Sequence, residues 1–82
     1  MGFMVLYYED FIPMENGDYY VVLGMTNDNK NFIGEIRNDK GDYLKRYMMS
    51  RNEMKYWMNE NGLYFDGYIE YRGDRDCFKN NI

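Results

Sequence analysis

Eighty-two residues carrying a net charge of −4 leave room for one compact domain, because domains start at about 50 residues and a second would lack a core. The chain has no His, Ala or Gln, and Ser50, Thr26, Cys77 and Pro13 are each the sole residue of their type. Ser-His-Asp triads, histidine proton shuttles and Cys/His metal centres are therefore excluded.

Residues 3–8 form an apolar, β-prone run, and 18–25 form another, with Asn16-Gly17 between them as a strong two-residue hairpin signal. The two runs are expected to pair antiparallel. Pro13 lacks an N–H for a ladder, so 11–15 should be an edge or a bulged extension. Residues 26–31 are polar and turn-rich. Residues 32–37 then alternate, with Phe32, Gly34 and Ile36 on one face and Gly34 marking a bend or bulge. Asn38-Asp39-Lys40-Gly41 reads as a type I turn closed by a left-handed glycine, which makes 42–49 the return strand.

Ser50 and Glu53 have the spacing of a capping box and so start a helix. Met54, Trp57 and Met58 share its apolar stripe, and Asn61-Gly62 supplies the stop. Residues 63–71 return to strand alternation, placing Leu63, Phe65, Ile69 and Tyr71 on one face and Tyr64, Asp66, Tyr68 and Glu70 on the other. The domain is expected to span residues 1–73, with 74–82 as a polar tail.

The predicted fold class is α+β and β-rich, in the order β-β-β-β-α-β: a strongly bent antiparallel sheet or a small five-stranded barrel with one short helix before its last strand. In element order alone this is similar to barrels of the Src-homology-3 type. Ten Tyr, five Phe, one Trp and eight Met stand against twelve Ile, Leu and Val. Aromatic and Met side chains must then supply most of the core, at roughly 1.5–3 kcal/mol for each large apolar side chain buried.

The charges are segregated. Residues 1–29 hold five carboxylates and no cation, residues 30–59 hold seven cations and four carboxylates, and residues 60–82 hold three cations and five carboxylates. The residues singled out for binding are the outward stripe Tyr64, Asp66, Tyr68 and Glu70 together with Glu9, Asp10, Glu15 and Asp18. Tyrosines supply rigid contact area, and acids spaced along a strand can stand in for phosphates against a basic groove. The alternative is nucleic-acid stacking on Tyr43 and Tyr47, with Lys45, Arg46, Arg51 and Lys55 holding the backbone. Tyr43, Lys45 and Tyr47 are read as sharing one strand face. The sequence pI of about 4.6 opposes that use.

No cofactor or metal is expected, since 27–38 departs from a calcium loop at Phe32 and Asn38. No span of about 20 apolar residues or basic signal segment is present, and the lone Cys77 has no disulfide partner within the chain. The expected setting is the cytoplasm, without membrane contact. Abundant Asn, Lys and Ile beside absent Ala fits AT-rich coding, as in a low-G+C bacterium or its phage. Together these features point to a small non-enzymatic protein-binding inhibitor, phage-encoded and acting in the host cytoplasm. It would occlude a nucleic-acid-handling or defence protein such as a CRISPR effector, with homodimer formation as a further option.

Overall fold

The computed structural model describes residues 3–62 and 67–73. Its elements are β1 (Phe3–Leu6), β2 (Phe11–Pro13), a 3-10 turn (Glu15–Gly17), β3 (Tyr19–Met25), β4 (Asn31–Arg37), β5 (Tyr43–Ser50), α1 (Arg51–Glu60) and β6 (Tyr68–Tyr71). Together they make a small strand-rich α+β fold with one helix and two sheets. Four strands in the order β2-β3-β4-β5 form an antiparallel meander, while β1 and β6 form a separate parallel pair. The described strands do not close into a barrel.

The expected pairing of residues 3–8 with 18–25 is corrected. Asn16-Gly17 does make the hairpin turn, with φ of 61° and 81°, but the arm it returns is β2, so Phe11 lies opposite Val21 and Pro13 opposite Tyr19. The chain turns away between β1 and β2. The Asp10 carboxylate accepts the Tyr7 N–H at 2.8 Å, and Glu9, at φ 68°, donates its N–H to the Val22 carbonyl at 2.7 Å. That turn takes β1 off the sheet to meet β6, Phe3 opposite Tyr68 and Leu6 opposite Tyr71. Pro13 sits on an edge strand, where its missing N–H is tolerated.

Gly34 marks a close approach, not a bend in its own strand. A Cβ there would lie 2.1 Å from the Val21 carbonyl oxygen and 2.6 Å from Tyr20 Cζ. The Tyr20 ring crosses this notch, donates its hydroxyl to the Tyr47 carbonyl at 2.9 Å, and meets the Tyr47 ring edge to face at 6.2 Å. The register irregularity lies on the facing strand, between Val22 and Gly24.

One face of the meander carries Tyr20, Val22, Met25, Phe32, Ile36 and Met49. It buries them with Met54 and Met58 of α1 and with Leu6, Ile69 and Tyr71 of the parallel pair. As expected, Met and aromatic side chains fill much of this core. The helix begins where the capping residue predicts, with Ser50 Oγ accepting the Glu53 N–H at 3.1 Å. The capping box is only half made, because the Glu53 carboxylate accepts the Tyr47 hydroxyl at 2.8 and 2.9 Å. Ser50→Ala should cost about 1 kcal/mol, lowering the melting temperature by about 4–8 °C in a domain of this size; an unchanged calorimetric melt would refute the cap's role.

Candidate protein-binding face

The opposite face of the meander follows from the register, because directly paired residues on neighbouring strands project to the same side. Reading across from β2 to β5, one row is Pro13, Tyr19, Arg37 and Tyr43, and the next is Phe11, Val21, Glu35 and Arg46. Beyond them Met48 pairs with Ile33, and Leu23 lies beside them; Ile33 is itself buried. No described element covers the rest of this face. Phe11 is 63% exposed, Tyr8 52%, Tyr43 54% and Met48 54%. Residues Tyr8, Glu9, Phe11, Tyr19, Val21, Leu23, Glu35 and Arg37 line a shallow concavity of about 530 Å³.

Contacts within the face preorganise it. Phe11 and Tyr19 meet edge to face at 5.7 Å. Arg37 forms an ion pair with Glu35 and donates from Nη1 to the Gly41 carbonyl at 2.6 Å, so its stem and guanidinium lie along the sheet. Aromatic, Met and Arg side chains are the types enriched where proteins meet. At roughly 200 Å² for a whole aromatic side chain, the half-exposed rings and Met48 present on the order of 400 Å², as large as the functional patches of monomers.

Of the expected acidic stripe, Tyr68 and Glu70 are described and, two positions apart on β6, share one face of it. Tyr64 and Asp66 lie outside the described residues. Tyr68 is exposed, but its ring is covered by the Arg51 guanidinium at 5.0 Å, and Glu70 forms an ion pair with Arg72. Glu9 borders the concavity, and Asp10 is held in the turn after β1. Glu15 and Asp18 instead border a smaller cleft of about 260 Å³ with Met14, Ile36, Leu44, Lys45 and Trp57.

The residues named for nucleic-acid contact are also divided. The register shifts between Ile36 and Arg37, so Tyr43 pairs with Arg37 while Lys45 pairs with Ile36. This corrects the expected grouping: Tyr43 and Arg46 lie on the uncovered face, and Lys45 and Tyr47 on the other. Lys45 sits over the Tyr47 ring at 5.4 Å. Arg51 is an internal staple, donating from Nε to the Asn29 carbonyl at 2.8 Å and from Nη1 to the Ile69 carbonyl. Lys55 lies on α1, partly buried, one helical turn after Arg51.

Two phenols titrate abnormally. Burial, reinforced by the Glu53 charge, pushes Tyr20 well above its ordinary 10.0, and the hydrogen bond to Glu53 raises Tyr47. Both are uncharged donors in the fold. Their contribution to stability is therefore intact below pH 10 and lost as pH climbs through the raised folded values. Thermal melts should fall from about pH 10 upward, and Tyr20→Phe should flatten that decline; a wild-type profile level through this range would contradict the assignment.

No cluster of three His, Cys, Asp or Glu able to hold a metal occurs among the described residues, and no described helix is long and apolar enough to cross a membrane. Comparison with protein-family models, curated proteins and solved structures finds no match.

Proposed function

We propose that this chain is a non-catalytic protein-binding module and that its recognition surface is the uncovered face of the meander. One observation carries this reading: Phe11, Tyr19, Tyr43, Met48, Arg37 and Arg46 lie on one sheet face to which no described element is docked. An inhibitory role is the use that suits such a module, and occlusion of a nucleic-acid-handling or defence protein of a bacterial host is the form we assign to it. Small size and AT-rich coding support the phage origin within that proposal, and the cytoplasm is its proposed setting. Glu15 and Asp18 beside the Trp57 cleft give a basic partner a second point of contact.

Affinity capture from a low-G+C bacterial lysate tests the proposal when wild type is run beside Tyr43→Glu/Met48→Glu, both at exposed positions. The expected result is a protein retained by wild type and lost by the double variant, with circular dichroism unchanged. Retention by both would move the site off this face. Glu15→Lys/Asp18→Lys separates the acidic contact from the sheet face. Tight, salt-sensitive binding to DNA or RNA would favour a nucleic-acid module instead.

A further inference from the structure

We infer that the uncovered face is self-complementary and that its occupant is a second copy of this chain, docked face to face about a twofold axis parallel to the strands and passing between β3 and β4. The inference rests on the reading of this face as a protein-binding surface and names the partner.

The face is divided lengthwise. Its β2–β3 half presents Pro13, Phe11, Tyr19, Val21 and Leu23, and its β4–β5 half presents both cations, Arg37 and Arg46, with Tyr43 and Met48. A rotation about the stated axis lays β2 over the second copy's β5 and β3 over its β4, and keeps each cross-strand row over itself. Tyr19 then meets Arg37 of the other copy, Phe11 meets Arg46 and Pro13 meets Tyr43. Each cation lands on an aromatic ring, the arrangement in which guanidinium and π face attract. No two like charges are opposed. Glu35, the one carboxylate in these rows, enters already neutralised by Arg37, so its burial against Val21 does not strand a charge.

Aligned packing of two sheets is a standard way to bury apolar faces. Strands of three, seven, seven and eight residues, about 4.8 Å apart and about 3.4 Å per residue, give a footprint of roughly 400 Å². Both copies together would bury on the order of 800 Å², below the usual size of stable interfaces, so the association should be weak and reversible. Pairing through the β5 edge is less suitable, because Lys45 and Arg46 stand adjacent on it and the register breaks at its start; both features guard an edge against another strand.

Light scattering after size exclusion, run over a hundredfold range of protein concentration, tests the inference. Wild type should move from the 10.0 kDa of one chain towards twice that mass as concentration rises. Phe11→Arg sets Arg against Arg46 of the other copy and should remain monomeric throughout. Phe11→Arg/Arg46→Glu restores opposite charges across the axis and should dimerise again. Both positions are exposed, and circular dichroism and thermal melts check that the variants fold. A wild type that stays monomeric overturns the inference, as does a dimer indifferent to Phe11→Arg or a double variant that fails to recover. A monomeric wild type that still loses a captured protein in Tyr43→Glu/Met48→Glu would remove the dimer and leave the binding face standing.

Discussion

Gly34→Ala is expected to destabilise the protein by about 3 kcal/mol, a large share of the stability of a domain this small. The new methyl would stand 2.1 Å from the Val21 carbonyl oxygen and 2.8 Å from the Tyr20 hydroxyl oxygen. One obstacle is backbone in the adjacent strand. The other is a ring anchored on the Tyr47 carbonyl at 2.9 Å, so neither can move without breaking something else. Urea melts of wild type and variant measure the loss. Adding Tyr20→Leu to Gly34→Ala clears the ring but leaves the carbonyl, so rescue should be partial at best. A Gly34→Ala protein within about 1 kcal/mol of wild type would show that the strands can part at this point without cost, contrary to ordinary core packing.

Arg51→Met should cost about 2–3 kcal/mol, since hydrogen bonds from charged donors are worth roughly 1.5–3 kcal/mol each and this one is only partly shielded from water. The substitution retains an apolar stem while removing the bonds to the Asn29 and Ile69 carbonyls and the guanidinium over the Phe32 and Tyr68 rings. Arg51→Lys should recover little, because one ammonium lacks the planar fork that serves both carbonyls. Hydrogen exchange separates this from a general loss of stability: β6 amides should lose protection before those of β3 and β4. Equal loss in all strands, or a cost below about 0.5 kcal/mol, would place Arg51 among ordinary surface cations.

Much of the meander was legible locally. Asn16-Gly17 and Asn38 to Gly41 mark two of its three turns, Gly41 taking φ 87°, and Ser50 marks the helix start because a short side chain must accept an orphan N–H there. The partner of β1 was not legible. The selection between β2 and β6 depends on the Asp10 and Glu9 contacts that redirect the chain, and no periodicity records them. A shift of one position between Ile36 and Arg37 likewise reversed the side of Tyr43 relative to Lys45, an irregularity invisible to a strict two-residue alternation.

The proposed binding face also leaves a signal in the sequence. Residues Tyr19 to Met25 contain no charged side chain, whereas a strand with one face in water ordinarily alternates with polar residues. That run, with Phe11 and Met48, already implied a second side seeking cover. The outward acids are the stronger local signal, because charge is visible in single residues whereas an unmet demand for burial emerges only over a whole strand.

The parallel pairing of β1 with β6 bears on synthesis at the ribosome. Of the described strands, β1 emerges first and waits for a neighbour made after all the rest of them, while β2 to β5 can pair with segments that follow them closely. Contacts so distant along the chain form late, and until then the growing polypeptide carries an apolar strand without its mate, which invites aggregation. Synonymous codons that slow translation after Glu60 would lengthen that interval. Yield of soluble protein, compared at equal message level, should respond to codon choice there more than to the same change within the first hairpin.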